Sequence, residues 1–382
     1  MDIIATYIIL QTALFCILVV TGYYLSKGKS LKSRNYWIIA SISIIVYSLI
    51  EGLRYDRGVD YMMYKSLFEY SLNLSAYLEK PEKIESLFQI FNKFFHFVNF
   101  SYPFVFVFYS LVLIIAGFYF IKEHRKVAFY AIPMFFMATI VQSETLVRQL
   151  MAFSFVLISL KFFLNNSWIK FVVLITMAIN IHSSSIVFLP FIFLFKYIKN
   201  PFGNLYVILG LYFISWLWKP EYWGNYYKYF QNLSLGYGLY QGYLENADTW
   251  FSGEKVINSI HYFGMLSYIK TFLFNTGMIV LGYRILDKYR FNNYPFYFFL
   301  FVVGAIAQHF TFQIELLYRI SLYFYMFWFI VLAYIVSDSL SHKIKNLEIK
   351  RCICYFMIIC ALWDFFAPLF VVDTADALFI WS

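Results

Sequence analysis

Apolar stretches long enough to cross a lipid bilayer recur along the whole of this 382-residue chain. A helix of roughly 20 residues spans about 30 Å of hydrocarbon, and backbone groups there must bond within their own segment. Charged residues make up only 13% of the chain, too few to cover a water-soluble protein of this size. The sequence therefore predicts an all-α polytopic membrane protein with about twelve transmembrane helices in a single integral membrane domain, residues 1–382. The predicted spans are 3–25, 36–53, 101–121, 127–143, 147–164, 168–182, 184–198, 204–218, 264–285, 294–309, 314–336 and 352–370.

The connectors between these spans alternate in charge. One set holds 18 Lys and Arg against 4 Asp and Glu, whereas the rest of the chain holds 12 basic and 17 acidic residues. Basic loops stay on the cytoplasmic side, so both termini are expected to face out. The net charge of +9 follows from this asymmetry and does not indicate nucleic acid as a partner.

Two long connectors are predicted on the outer side. Residues 54–100 contain an amphipathic segment from about 84 to 98, whose apolar spacing predicts a helix lying in the membrane interface. A packed re-entrant helix is the alternative. Residues 219–263 are rich in Tyr and Trp, whose flat amphipathic rings suit either a carbohydrate or an interfacial aromatic belt.

Arg148 is the first candidate for chemistry, because it stands at the predicted N-terminus of the span 147–164. A cation there opposes the helix dipole, but the position makes sense if an anion binds to both the guanidinium and the free N–H groups. An ion pair with Glu144, four residues earlier, is the alternative, and Glu144 could also orient the arginine for its ligand. Arg319 repeats the pattern in the span 314–336, with Glu315 four residues earlier, and there the alternative is an ion pair that locks helices together.

Arg54, Asp56, Arg57 and Asp60 form a charged cluster where the chain leaves the second span. Gly58 permits a tight turn within it. The cluster could hold a phosphate or position an acid–base group, or it could be an ordinary charged surface loop. No metal-ligand spacing is present, and we expect neither an obligatory metal nor another cofactor.

His182 ends the sixth span. A neutral imidazole at this position could accept a proton from a sugar hydroxyl, although a histidine at a helix end can equally be a capping or packing residue. Charged groups in or near hydrocarbon are retained mainly where they have a partner or a function. Because all these candidates fall at the outer ends of predicted spans, we expect a polar site that opens on that side.

Short motifs recur in a fixed order over nearly the whole chain. Their residues are Arg54, Gly58, Asp60, Tyr61, Tyr64, Glu85, Arg148, Gln149, Asn180, His182, Arg319 and Tyr323. In order and spacing together they resemble a known family, the bacterial Wzy/EpsG-type polysaccharide polymerases. An RX₁₀G-type arginine motif found in other members is not present, which favours the EpsG-like branch.

The resemblance implies a GT-C-like inverting glycosyltransferase at the outer face of the bacterial inner membrane. Its donor and acceptor would be oligosaccharide repeat units of O-antigen or exopolysaccharide type, linked to a polyprenyl diphosphate such as undecaprenyl diphosphate. A partner protein that governs chain length is also compatible with the family, but no residue identifies one. We expect catalytic roles for His182, Asp60, Arg148 and Arg319. We expect substrate contacts from Arg54, Arg57, Glu144, Gln149, Glu315, Tyr61 and Tyr323.

Two other functions compete with polymerisation. A flippase for the same lipid-linked units would be expected to place charges near mid-membrane and to show an internal repeat, and neither is seen. An O-antigen ligase-like enzyme shares the donor, the site and the leaving group with a polymerase, so the sequence does not separate the two.

Overall fold

The computed structural model describes residues 2–27, 32–69, 85–198, 203–218, 264–311, 315–341 and 348–382. The predicted aromatic connector 219–263 lies outside the described residues. Helices dominate the described part of the chain. They are α1 (Ile3–Lys27), α2 (Ser33–Gly52), α3 (Tyr61–Glu69), α4 (Ser86–Phe97), α5 (Tyr102–Ile121), α6 (Ala128–Thr145), α7 (Val147–Leu164), α8 (Trp168–Ile181), α9 (Phe188–Tyr197), α10 (Leu205–Trp216), α11 (Gly264–Arg284), α12 (Tyr294–Thr311), α13 (Glu315–Tyr325), α14 (Trp328–Ser341) and α15 (Glu348–Leu369).

Seven helical segments within the described ranges are long and apolar enough to cross a membrane. One of them, Tyr102–Thr145, is a hairpin of α5 and α6 joined by the 3₁₀ turn Lys122–Val127. The Arg54 guanidinium lies 5.2 Å from the Phe106 ring, near the start of α5, and donates to the carbonyl of Ser143, near the end of α6. The two helices are therefore antiparallel, and the protein is a multi-pass membrane protein.

Three further apolar helices are shorter than a full crossing: α8 with 14 residues, α9 with 10 and α10 with 12. At 1.5 Å per residue, even α8 is only about 21 Å long. The predicted span 314–336 is divided into α13 and α14 at Met326 and Phe327. The predicted total of twelve crossings and the GT-C-like arrangement stay predictions.

The outward face of α2 shows how these helices meet a lipid environment. Its exposed apolar residues recur at helical spacing and are 45–64% exposed, namely Ile38, Ile42, Ile45 and Leu49. The opposite face is buried and carries smaller or polar-tipped side chains, namely Tyr36, Ala40, Ser43 and Tyr47. An apolar outer stripe over a more polar inner face is the reverse of a water-soluble helix, and it agrees with burial of this helix in hydrocarbon.

Charged residues collect at the two ends of the helix bundle. At one end, which we call the basic end, Lys161 pairs with Glu123, and both Lys288 and Lys350 pair with Asp338. At the other end, which we call the site end, α2, α6 and α8 terminate and α7 begins. This separation follows the predicted charge alternation of the connectors.

A close approach between α2 and α5 fixes the site end. At Gly52, the last residue of α2, an added Cβ would lie 2.3 Å from the Cα of Val107. Only a residue without a side chain allows the two backbones to come this close. Gly52 therefore holds the chain at the point where the charged segment 53–60 begins.

We expect Gly52→Ala to destabilise the protein by roughly 1–3 kcal/mol or more, because backbone atoms of α5 would have to move. Gly210→Ala is the matched control: it also lies in a helix, but nothing lies within 4 Å of its Cβ position. That substitution should be neutral or stabilising, since alanine favours helix over glycine. Thermal unfolding of the detergent-purified variants measures both, and equal melting temperatures for the two would contradict the close approach.

Candidate active site

Two glutamates and an arginine form an ion network beneath the site end. The Arg57 guanidinium lies 3.4 Å from a carboxylate oxygen of Glu51 and also pairs with Glu144. Gln11 of α1 donates to the other Glu51 oxygen at 2.8 Å. Glu51 and Arg57 are both fully buried. Because isolated buried charges are very costly, these side chains can be retained there only as a mutually paired set.

Arg54 joins the same layer through backbone carbonyls. Its guanidinium donates to the carbonyl of Glu51 at 2.5 Å and to that of Ser143 at 3.1 Å. The hydroxyl of Tyr61 in turn donates to the carbonyl of Arg54 at 3.0 Å. This one side chain thus ties the end of α2 to the end of α6.

The C-terminal tail closes over this layer. Arg54 and Phe379 form an antiparallel backbone bridge, flanked by hydrogen bonds from Tyr55 N to Leu378 O and from Ile380 N to Leu53 O. The Phe379 ring lies 5.1 Å from the guanidinium of Arg57. An aromatic face attracts a cation, and the ring also excludes water from the ion network.

The turn at Gly58 was predicted, and the structure confirms it with a φ of +89°. A Cβ at this position would lie 2.1 Å from the carbonyl oxygen of Glu144. Glycine is therefore required here both for the backbone conformation and for the contact with the end of α6. The turn directs the chain back so that Asp60 stands at the start of α3.

Glu85, directly before α4, is the centre of a second cluster. Its Oε2 accepts from Arg148 Nη1 at 2.9 Å, and its Oε1 lies 3.2 Å from His182 Nδ1. The backbone N–H and the hydroxyl of Ser183 also donate to Oε1, at 2.9 and 3.1 Å. One carboxylate thereby joins the start of α7 to the end of α8.

These contacts set the protonation states of the pair. Burial opposes the ionisation of Glu85, but the hydrogen bond from His182 and the charge of Arg148 outweigh it and lower the pKa of Glu85 to about 2. Burial lowers the pKa of His182, and the charges of Arg148 and Arg319 lower it further against the opposing effect of Glu85. At pH 7 the pair is therefore an ionised carboxylate beside a neutral imidazole.

Arg319 reaches the same place from α13. Its guanidinium lies 3.6 Å from a carboxylate oxygen of Asp60, and its backbone carbonyl accepts from Gln149 at 2.5 Å. Gln149 directly follows Arg148 in α7, so this hydrogen bond brings the start of α7 beside Arg319. The charges of Arg148 and Arg319 both lower the pKa of His182, so the two guanidinium groups lie near the same imidazole. Nearby, the hydroxyl of Ser184 donates to that of Tyr323 at 3.4 Å.

Exposure divides the candidate residues into two layers. Four side chains are 16–26% exposed, namely Arg148, Asp60, Arg319 and His182. Arg54 and Arg57 are only 1% and 0% exposed, and Tyr61 and Tyr323 are fully buried. Only the first layer is open enough to touch a ligand without a rearrangement.

One sequence expectation about ion pairing is wrong. Arg148 does not pair with Glu144 in the structure; it pairs with Glu85, and Glu144 pairs with Arg57. An i,i+4 pair requires helical backbone from residue 144 through residue 148, but α6 ends at Thr145 and α7 begins at Val147, so the i,i+4 relation is not formed. Glu315 begins α13, and its side chain lies outside the described residues.

The sequence reading missed Glu51 and the central role of Glu85. Glu51 is an isolated acid at the end of a predicted span, a signal equal to that of the chosen residues. Glu85 was predicted to lead the amphipathic helix and was counted among the residues that carry the family resemblance, but no contact was assigned to it; the predicted helix is present as α4 (Ser86–Phe97). Its partners lie 63 and 97 residues away along the chain, and no local pattern reports such a contact.

Fold and site together define a multi-pass membrane protein whose described residues are mainly helical, with a layered charged site at one end of its bundle. The model of the EpsG family matches residues 37–372, and the chain belongs to the EpsG family. The predicted family resemblance is thereby confirmed. Membership implies a polysaccharide-polymerase-like function and a glycosyltransferase type of enzyme. A search of curated proteins and one of solved structures found no match to this chain.

The lowered pKa of Glu85 makes a prediction about stability. A carboxyl with a depressed folded-state pKa stabilises the protein above its unfolded pKa of about 4.3, and this contribution is lost as the pH falls through about 2. We expect Glu85→Gln to cost roughly 3 kcal/mol near pH 6, and the difference from the wild type should shrink progressively below pH 4.5. Thermal unfolding across pH 3–7 tests this, and a difference independent of pH would refute it.

Proposed function

We propose that this protein is an inverting glycosyltransferase that joins lipid-linked oligosaccharide repeat units into a polymer. The observation that carries the proposal is the constellation of Arg148, Glu85 and His182 with the Arg319–Asp60 pair beside it. It combines two cations, a neutral imidazole and two carboxylates in one partly exposed region. Family membership supplies the reaction class, and the constellation supplies groups suited to it.

The donor in this proposal is a glycan on a polyprenyl diphosphate. The oxygen of an acceptor hydroxyl forms a bond to the anomeric carbon while the bond from that carbon to the diphosphate oxygen breaks. The electron pair leaves with the diphosphate, and the hydroxyl proton passes to a base. A single displacement of this kind inverts the anomeric centre.

Arg148 and Arg319 would stabilise the negative charge that develops on the departing diphosphate. Arg148 is the second residue of α7, so the free N–H groups of that helix and its guanidinium lie at the same end. Arginine also matches the geometry of phosphate oxygens better than lysine does. Groups that are fixed in place before the reaction stabilise such charge most effectively, and the pairing with Glu85 and Asp60 supplies that rigidity.

His182 is our first candidate for the base. Nδ1–H donates to Glu85, which leaves Nε2 as the acceptor for the hydroxyl proton. The carboxylate then stabilises the imidazolium that forms. Asp60 is the second candidate, because a phosphate on Arg319 would replace it as the partner of that guanidinium and leave its carboxylate to accept a proton.

In the same proposal, Arg54, Arg57, Glu144 and Tyr61 hold the segment 53–61 in position beneath the reacting groups. The burial of Arg54, Arg57 and Tyr61 favours this supporting role over direct contact with the substrate, and Glu144, which is 14% exposed, takes part through its pair with Arg57. Gln149 and Tyr323 connect α7 and the 3₁₀ turn after His182 to α13. A substrate contact by Glu315 stays a prediction.

We place the site end at the outer face of a bacterial inner membrane. The basic end would face the cytoplasm, as the positive-inside rule requires. The exposed apolar stripes of the helices would face the lipid and the polyprenyl chains. A GT-C-like arrangement of the crossings, and a separate protein that governs chain length, belong to this proposal as family expectations.

Arg148→Ala and Arg319→Ala should each lower the rate of transfer by roughly 10²–10³, since each removes a charge that stabilises the leaving group. The assay incubates the purified full-length protein in nanodiscs with lipid-linked repeat units extracted from the producing bacterium, and it measures initial rate and product length. Lys161→Ala is the matched control, because it removes an ion-paired cation at the basic end. It should leave the rate unchanged.

Arg148→Lys keeps the charge and separates a catalytic role from a structural one. If Arg148→Ala turns over at the wild-type rate, Arg148 does not stabilise the leaving group and its proposed catalytic role is wrong. The products also distinguish the reaction classes. A ladder of lengths supports polymerisation, whereas one transfer to a different acceptor indicates a ligase, and movement of the intact lipid-linked unit without bond formation indicates a flippase.

His182→Gln should lower the rate by about 10²–10⁴, because an amide can still donate to Glu85 but cannot accept the hydroxyl proton. The wild type should lose activity as the pH falls and His182 becomes protonated, and the variant should lack this dependence. A normal rate in His182→Gln together with an inactive Asp60→Asn would transfer the role of base to Asp60.

A further inference from the structure

Arg148 stands where the helix α7 disfavours a cation. It is the second residue of α7, so its positive charge lies at the positive end of the helix dipole. Glu85 offsets part of this repulsion through its contact with the guanidinium at 2.9 Å. An arginine side chain has many rotamers, so an ion pair of this kind does not by itself fix where the guanidinium lies. A further restraint is therefore expected around Arg148.

Two aromatic rings flank the Arg148 guanidinium. Its central carbon lies 5.8 Å from the ring centroids of both Tyr64 of α3 and Phe88 of α4. The two rings lie 6.1 Å apart at an angle of 65°, and both side chains are buried. We call this pair of rings the aromatic corner. Its π faces attract the cation, and its packed atoms leave the guanidinium few alternative positions.

Tyr64 is next to both of the partly exposed ion pairs. Its backbone N–H donates to the carbonyl of Asp60 at 3.0 Å, so it follows the carboxylate that holds Arg319 by one helical turn. Burial raises the pKa of the Tyr64 hydroxyl, the charge of Arg148 opposes this effect, and the charge of Asp60 adds to it. The phenol is therefore neutral at pH 7. One uncharged side chain thus borders the cation of one pair and the carboxylate of the other.

Without the Tyr64 ring, the two ion pairs could exchange partners. Asp60 and Glu85 are both carboxylates, and a guanidinium can form a charge-assisted hydrogen bond with either. Contact between Arg148 and Asp60 would leave Glu85 with His182 and would also disturb the pair that Asp60 forms with Arg319. A buried ring beside both groups removes this alternative, because it fills space that the guanidinium would have to enter.

We propose that Tyr64 is a positioning residue that keeps Arg148 on Glu85 and away from Asp60. The inference rests on the proposed glycosyl transfer, in which Arg148 must be fixed in place before the diphosphate arrives. Tyr64 acts through Arg148, and its role requires no contact with the substrate. The ring is the essential part of the side chain, since the ring occupies the space and presents the π face.

His182 reports where the Arg148 guanidinium lies. The charged groups that act on it are Glu85 before α4, Arg148 of α7 and Arg319 of α13. Burial lowers the pKa of His182, Glu85 raises it, and both arginines lower it. If Arg148 leaves Glu85 for Asp60, a cation moves away and the carboxylate is left to the imidazole. The pKa of His182 must then rise.

The test follows the titration of His182 by ¹³C NMR of the full-length protein in nanodiscs, with histidine labelled at Cε1. Comparison with His182→Gln assigns its signal among the six histidines. We expect Tyr64→Leu to shift this titration to higher pH and to lower kcat by about 10–10²-fold. The acid limb of the rate profile should shift in the same direction. Tyr64→Phe keeps the ring and should stay within about fivefold of the wild-type kcat.

Tyr36→Leu is the matched control. Tyr36 is a fully buried tyrosine of α2 whose ring lies 5.1 Å from the Arg125 guanidinium, in the 3₁₀ turn Lys122–Val127. The substitution also removes a buried ring beside an arginine, so it reproduces the loss of packing. It should leave the titration of His182 unchanged, and an equal shift in this variant would overturn the positioning role.

A second substitution separates partner exchange from a general loosening of the site. The double variant Tyr64→Leu/Asp60→Asn lacks the competing carboxylate, so its His182 titration should return to that of Asp60→Asn alone. The proposal is wrong if Tyr64→Leu titrates like the wild type, or if the double variant keeps the full shift. Tyr64→Met, which is closer to tyrosine in length, replaces Tyr64→Leu where that variant does not fold. Undiminished turnover in Arg148→Ala refutes the proposed transfer and leaves the titration result standing.

Discussion

A charge that is removed from water has to be given an opposite charge, and this requirement organises the site end of the protein. Glu51 and Arg57 have no exposure at all, and each is tolerable only because the other is present with Glu144 and Gln11. Pairing of this kind contributes little net stability compared with apolar packing, so its value lies in fixing one arrangement of helices. Here it fastens α1, α2 and α6 to each other, and the segment leaving α2 is held rigidly as a result.

Next to this buried ion network lies a second set of ion pairs, whose side chains are partly exposed. Glu85 and Asp60 each hold an arginine from a different helix, and the partly exposed side chains Arg148, Arg319 and His182 gather around them. In the proposed reaction, a phosphate that reaches this site would meet cations whose orientation is already fixed by their carboxylate partners. Membership of the EpsG family supplies a reaction class to which this combination of charges is suited.

Many of the helix positions can be predicted from the sequence, because an apolar segment surrounded by hydrocarbon must be helical and its length is set by the bilayer. The positions of α5, α7 and α12, the amphipathic α4 and the turn at Gly58 all follow from local pattern. Which side chains pair with each other does not follow from local pattern, because pairing depends on where the helices end and cross. Leu146 interrupts the helical backbone between α6 and α7, so Glu144 and Arg148 do not lie on one helix face, and Glu144 pairs with Arg57 instead. The convergence on Glu85 is likewise a product of tertiary packing, and so is the closing of the tail over Arg57.

That tail has a consequence for how the protein is made. Phe379 covers Arg57 and forms a backbone bridge with Arg54, although almost the whole chain is synthesised between them. Each helix can enter the bilayer in turn, but the backbone bridge and the aromatic cover over Arg57 form only after the residues around 379 have been synthesised and packed against the segment that leaves α2. A nascent chain that stops short of those residues already has its leading helices, yet it lacks the contacts that cover its most deeply buried ion pair.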